Sequence, residues 1–231
     1  GTPFGPTAVP FDATRPTFSS VVRQLPTDAV TSATSVTFRV TTSEAVQALS
    51  SSNFTLTTTG TIGYGSISVA TVSGSQYNVT ITGLTGEGTI ALNSYTASLL
   101  DLRGNPALST SFTSPVYTRD VTDPVVTVNA LTTNQSQPAL SGTVSDAGSE
   151  VVVTVNGINY TAVVSGTTWT LLAGTITPAL ADGTYDVEVM AADLAGNIGI
   201  DSTTNELIID TTGPTVTINQ AVTQADPTNV N

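Results

Sequence analysis

The residues best suited to chemistry in this chain are oxygen-bearing acids, and they recur at matched places. Asp12, Asp120 and Asp210 each open an Asp-x-Thr-x-Pro pattern, spaced 108 and then 90 residues apart. Asp101-Leu-Arg-Gly-Asn105 lies 19 residues before the second copy, and Asp193-Leu-Ala-Gly-Asn197 lies 17 before the third. With the acids between them, these patterns supply two sets of hard oxygen donors. One set is Asp12, Glu44, Asp101 and Asn105; the other is Asp120, Asp123, Asp146, Glu150, Asp193 and Asn197. Calcium takes about six to eight such oxygens, with backbone carbonyls and water completing its shell. The chain has no His and no Cys, which disfavours zinc, copper and nickel. A second reading stays open beside calcium. Asp and Asn also close turns through side-chain hydrogen bonds to their own backbone, and Gly104 and Gly196 suit a positive φ.

Other chemistries lack their parts. Without His there is no Ser/His/Asp relay, and without Cys no thiolate nucleophile and no disulfide. All five basic residues are Arg, so Schiff-base chemistry is absent too. A glycosidase needs two carboxylates roughly 5 to 9.5 Å apart across a sugar cleft. The acids here fall in short loops with no aromatic sugar platform nearby. Gly60-Thr-Ile-Gly-Tyr-Gly65 is Gly-rich but is followed by neither a helix nor a Lys, so it reads as a turn or bulge, not a phosphate cradle. Net charge is −12, which opposes binding to nucleic acid or to an anionic membrane surface. No apolar run is long enough to span a bilayer. The chain is expected not to be an enzyme.

The elements that must position the acids are strands. Thr, Ser, Val and Gly dominate the sequence, and Thr and Val favour pleated, half-buried surfaces. The recurring motifs divide the chain into an N-terminal extended segment (1–12), two domains (13–121 and 122–211), and the start of a third (212–231). Pro at each boundary stiffens the linker and blocks continuous ladder pairing across it. In the first domain strands are expected at Ser35–Thr41, Phe54–Thr58, Ser66–Val72, Tyr77–Thr82, Thr89–Leu99 and Ser111–Tyr117, after a β-rich run from Thr17. In the second they are expected at Val125–Asn129, Ala139–Val144, Glu150–Asn156, Asn159–Val164, Thr168–Leu172, Thr184–Ala192 and Ile198–Asp210. The last should bend near Ser202–Asn205, and Asn156-Gly157 marks a tight hairpin. Trp169 is expected between the sheets. Tyr185, after Asp182-Gly-Thr, is placed for a hydroxyl-to-backbone corner, whereas Gly86-Glu-Gly-Thr-Ile90 offers no hydroxyl at the matching place. Short strands separated by turns make the fold class all-β, a β-sandwich per domain.

Val36-Thr-Phe-Arg-Val-Thr-Thr-Ser-Glu-Ala-Val46, Ser141-Gly-Thr-Val-Ser-Asp146, Asp182-Gly-Thr-Tyr185 and the two Asp-x-x-Gly-Asn loops resemble the bacterial Ig-like repeats of large extracellular adhesins. The resemblance covers nearly all of the chain after residue 12. It implies tandem Ig-like antiparallel β-sandwiches, a location on the bacterial cell surface, and a stalk role with neighbouring Ig-like repeats as partners. In such a sandwich the first strand's start and the loops carrying the other acids share the end that faces the preceding domain. Both donor sets then gather at domain junctions, where calcium would stiffen a rod. The leading expectation is a structural spacer of an adhesin or extracellular filament. The rivals are a ligand-binding module for glycan, ice or a host protein, and a polymerising subunit that donates residues 1–12 or a strand from Thr215, with homotypic filament contacts.

Overall fold

The computed structural model describes residues 12–94, 99–107 and 111–217. Residues 18–117 and 126–209 build two separate hydrophobic cores.

In the first domain the strands are β1 (Phe18–Leu25), β2 (Val30–Thr31), β3 (Ser35–Thr42), β4 (Phe54–Thr58), β5 (Ser66–Ser73), β6 (Gln76–Thr82), β7 (Gly88–Ser94) and β8 (Val116–Arg119). They form two sheets, ordered β1-β3-β6-β5 and β2-β8-β7-β4. Period-two alternation places the core: Val36, Phe38 and Val40 of β3 face inward with Tyr77, Val79 and Ile81 of β6, against Ile90 and Leu92 of β7. Arg39 lies on the outer face of β3, where its Nε donates to the Asn78 side-chain Oδ1 across the ladder at 2.6 Å.

In the second domain the strands are β9 (Val126–Val128), β10 (Leu131–Thr133), β11 (Leu140–Val144), β12 (Glu150–Val155), β13 (Ile158–Thr161), β14 (Val163–Ser165), β15 (Thr168–Leu171), β16 (Gly183–Tyr185), β17 (Val187–Ala192), β18 (Ile198–Asp201) and β19 (Leu207–Ile209). One sheet runs β14-β15-β11-β9. The facing layer is bent into β13-β12-β17-β18 and β10-β19-β16. Val151, Val153 and Val155 of β12 pack inward with Val187, Val189 and Ala191 of β17.

Both domains open in the same way. The leading strand pairs antiparallel with one sheet (β1 with β3, β9 with β11), and a short continuation crosses to the other and pairs parallel with the last strand (β2 with β8, β10 with β19). These crossing strands span only two or three residues, too short for alternation to reveal, and the expectation omitted them. This shared opening makes both domains Ig-like sandwiches.

Trp169 is fully buried, and its indole Nε1 donates to the Thr127 carbonyl at 2.9 Å, so its one polar atom is satisfied inside the core. Tyr185 forms the expected corner, its hydroxyl donating to the Ala181 carbonyl at 2.9 Å. Tyr185→Phe is expected to cost the second domain about 1 kcal/mol, the usual net worth of one hydrogen bond, read as a lower midpoint in urea with an unchanged slope.

Several strand expectations need correcting. Asn159–Val164 is two strands, because the buried Ala162 turns inward and pairing passes from β12 to β15. Thr184–Ala192 breaks at Asp186, whose carboxylate accepts the Asn205 backbone N–H at 2.9 Å. The bend in Ile198–Asp210 sits where expected and uses a positive φ at Asn205. The segment Ser111–Tyr117 is strand only from Val116; Pro115 has no N–H to give the ladder, and the Ser114 hydroxyl accepts the Leu92 N–H at 2.9 Å instead. The strand from Thr89 ends at Ser94; Leu99 is not in a strand, and 95–98 lie outside the described residues. No strand forms over 215–217, and the rest of the expected third-domain strand, like residues 1–11, lies outside the described residues. Gly60 to Gly65 is a turn, with Gly63 bridging Thr85.

Candidate functional site at the domain junctions

The two motifs found in the sequence meet in space. In the loop between β7 and β8, Asp101 Oδ1 accepts the backbone N–H groups of Arg103 and Asn105, both at 2.8 Å. Its Oδ2 accepts the Asn105 side-chain amide at 2.7 Å. That same amide donates to the Asp12 carbonyl at 3.0 Å. Between β17 and β18 the arrangement repeats. Asp193 Oδ1 accepts from Ala195 N and Asn197 N at 2.8 and 2.9 Å, and Oδ2 accepts the Asn197 amide at 2.8 Å. The Asn197 amide donates to the Asp120 carbonyl at 3.2 Å. Gly104 and Gly196 take φ of +91° and +86°, which closes each loop. Each Asp-x-x-Gly-Asn loop therefore grips the chain as it enters the same domain.

A serine completes each entry. The Ser43 hydroxyl accepts the Thr17 N–H and the Ser145 hydroxyl accepts the Val125 N–H, both at 2.9 Å, just past the linker prolines. The linker aspartates are Asx turns: Asp12, Asp120 and Asp210 each accept the N–H two residues on, from Thr14, Thr122 and Thr212 at 3.0, 3.0 and 3.1 Å. The turn-closing reading of these acids is thus what the hydrogen bonds of Asp12, Asp101, Asp120, Asp193 and Asp210 express.

Glu44 behaves differently. One carboxylate oxygen from each of Asp12, Glu44 and Asp101 lies within 4.8 Å of the others. Glu44 Oε1 is buried without a hydrogen-bond partner among the described residues. Burial raises the Glu44 pKa, and the Asp12 and Asp101 charges add to the rise. Burial also pushes Asp101 up, but its hydrogen bonds from Asn105, Arg103 and Gly104 outweigh that and hold it below the ordinary value. Arg103 Nε approaches Asp12 Oδ2 only to 3.9 Å.

In the second domain the equivalent acids are Asp120, Asp146 and Asp193. They line one cleft of about 170 Å³ with Val30 of the first domain and Leu194. Asp146 is committed to the Ser145 hydroxyl. Asp123 and Glu150 are exposed and do not line the cleft. Asn105 and Asn197 enter the geometry as amide donors. Of the acids singled out from sequence, only the first-domain trio forms a compact carboxylate group among the described residues.

Two acids were missed. Glu87 of the first domain accepts the Val121 N–H at 3.1 Å and the Thr122 hydroxyl at 2.5 Å. Asp182 of the second accepts the Thr211 N–H at 2.9 Å and the Thr211 and Thr212 hydroxyls at 2.7 and 2.8 Å. Both precede a strand-opening glycine at matched places, and that coincidence was legible. Arg119 adds to the first exit, donating to the carbonyls of Ala33 (3.0 Å) and Gly86. Across the joint the Ser32 hydroxyl donates to the Ala195 carbonyl at 3.0 Å. Leu194, at the tip of the second domain's loop, lines a small cleft with Asp28, Ala29 and Val30, yet stays 71% exposed. Hydrogen bonds, not apolar burial, make this joint.

The acids carry a pH dependence with a definite sign. Burial raises the Asp193 pKa, and the bonds from Asn197, Ala195 and Gly196 outweigh it and set a net lowering. Its folded value lies below its unfolded one, so the stabilisation is present above the unfolded value of 3.8 and is lost as pH falls through the folded value. Asp101 has the same sign. Glu44 has the opposite sign: raised in the fold, it costs stability at neutral pH, and that cost fades on acidification. Thermal melts taken down through the carboxylate range should show the second domain falling as Asp182, Asp193 and Asp201 titrate, with Asp193→Asn removing part of that fall.

Residues 119–211 match the family model described as bacterial Ig-like domain, and this part of the chain is such a domain. No curated protein matches the chain. Solved structures similar to it include the Escherichia coli adhesin FdeC, at 15% identity over 85% of this chain and 66% of that one, TM-score 0.43. A C-terminal fragment of intimin, in complex with the intimin-binding domain of its translocated receptor, matches at 10% identity over 83% and 65%, TM-score 0.42. The N-terminal part of the bacterial S-layer protein SbsC matches at 17% over 84% and 44%, TM-score 0.31. The chain thus spans between 44% and 66% of these structures' lengths. No helix among the described residues is long and apolar enough to cross a membrane.

Proposed function

We propose that this chain is a spacer segment of a bacterial cell-surface adhesin or extracellular filament, two Ig-like domains that hold a binding region away from the cell. The observation that carries this reading is the joint at 119–123. The linker is held by Glu87 from the domain it leaves and by Asn197 from the domain it enters. Polar groups from both domains converge on this connection. The test is a binding screen of the two-domain chain against glycan arrays, ice and host extracellular proteins. No saturable binding is expected, and a saturable, structure-dependent ligand would overturn the spacer reading.

Calcium at the first-domain trio is the finer part of the proposal. Asp12, Glu44 and Asp101 offer hard oxygens only, and the buried Glu44 Oε1, with no hydrogen-bond partner among the described residues, is a free ligand atom. Three carboxylates this close repel one another, and a divalent cation converts that repulsion into attraction. The ion would tie the entering linker, through Asp12, to the loop after β3 and the loop after β7.

A further inference from the structure

We propose that the far end of the second domain is a preformed docking end for a following Ig-like module, one whose Asp-x-x-Gly-Asn loop supplies a side-chain amide to the Asp210 carbonyl. This deepens the spacer reading and rests on it. Two exits can be compared, one joined to the next domain and one with no following domain among the described residues.

At the joined exit, the Asp120 N–H donates to the Thr31 carbonyl at 3.1 Å, and the Thr31 hydroxyl accepts the Ala33 N–H at 3.1 Å. At the second exit, the Asp210 N–H donates to the Thr133 carbonyl at 2.9 Å, and the Thr133 hydroxyl accepts the Gln135 N–H at 3.1 Å. Asp120 and Asp210 form the same Asx turn, onto Thr122 and Thr212. Glu87 and Asp182 clasp the same two linker positions. Four features recur at both exits, the Asp182 clasp having one bond more, from the Thr211 hydroxyl.

The differences are Arg119, which has Ile209 in its place at the second exit, and the bonds made with the next domain, one of them from the Ser32 hydroxyl to the Ala195 carbonyl. The Asp120 carbonyl accepts the Asn197 amide of the next domain, whereas the Asp210 carbonyl has no such donor among the described residues. The second exit holds its linker in the joined conformation with no following domain among the described residues to impose it. The domain being left therefore sets the course of its own linker. What docks must supply the missing amide donor to the Asp210 carbonyl: a loop of the Asp101–Asn105 or Asp193–Asn197 kind. Leu102 and Leu194 follow the aspartate in both, 69% and 71% exposed, and Leu194 sits over Asp28 to Val30 at the existing joint.

The test repeats residues 122–211 directly after Thr211, giving a three-domain chain. The natural sequence has no Cys, so spin labels can be placed singly at Ser165→Cys and at its counterpart in the added copy. Electron–electron distance measurement should give a narrow distribution across the new joint. Asp182→Ala should broaden it by about twofold, because unclasped domains default to independent motion, while Glu87→Ala leaves it unchanged. Thr212→Val removes one clasp bond without touching the β16 loop and should broaden it partially, which covers the case of Asp182→Ala misfolding. A broad distribution with Asp182 intact, or one indifferent to all three changes, overturns the proposal. Ligand binding by the two-domain chain would instead sink the spacer reading and leave this result standing.

Discussion

Gly142→Ala is expected to destabilise the second domain by about 3 kcal/mol or more while leaving the first domain's melting unchanged. Gly142 lies on β11 between Val128 of β9 and Trp169 of β15. A Cβ at this position would sit 1.8 Å from the Thr127 carbonyl oxygen and 2.6 Å from the Trp169 indole nitrogen. Those two atoms are hydrogen-bonded to each other, so the methyl group strikes the bond that satisfies the buried indole. Relief requires β9 to leave β11 or the indole to leave the core, and either exposes apolar surface and strands a polar group. The chain holds a single Trp, so its fluorescence reports this domain alone. A melt by Trp emission should shift down by on the order of 10 °C or more. Equal midpoints for the variant and the natural chain would mean that the strand approach at Gly142 is looser than described.

The second large effect concerns Glu44. Calcium at one hundred times its Kd should stabilise the first domain by about 2.7 kcal/mol, a rise in its midpoint on the order of 10 °C. Glu44→Gln should remove that rise. In chelator the same substitution should leave stability unchanged or higher, because one oxygen of the natural carboxylate is buried without a partner among the described residues and the group faces two like charges. The paired outcome separates a metal ligand from a structural acid: loss of a structural acid destabilises the metal-free fold. Calorimetry on the chelator-stripped natural chain that shows neither heat nor a shifted midpoint would end the calcium reading.

How much of this was legible beforehand follows from the kind of signal each feature leaves. The clean alternation in Val36–Val40 and Val151–Val155 predicted β3 and β12, and both face their cores as that period requires. The repeats Asp101–Asn105 and Asp193–Asn197 announced a shared device, but their partners did not appear in sequence. The bond from Asn197 to the Asp120 carbonyl spans 77 residues and ends on a backbone atom, which carries no residue signature. Glu87 and Asp182 escaped for a related reason: each was read within its own loop, while its partners lie 34 or 29 residues on in a linker. Asp123 and Glu150 drew weight as carboxylates, yet Asp123 lies exposed beyond the turn and Glu150 opens β12 opposite Ala192 on the outer face. The split of Asn159–Val164 turned on Ala162, an apolar residue too small to betray a change of sheet.

The proposed spacer would transmit orientation from one domain to the next, and bonds from Glu87, Asn197 and Ser32 hold the joint while Leu194 remains largely exposed. Residual dipolar couplings from the two-domain chain in a weakly aligning medium measure this directly. One shared alignment tensor, equal in magnitude and axes for residues 18–117 and 126–209, is expected. Two tensors of clearly different magnitude would show the domains moving independently and would contradict a stiff joint.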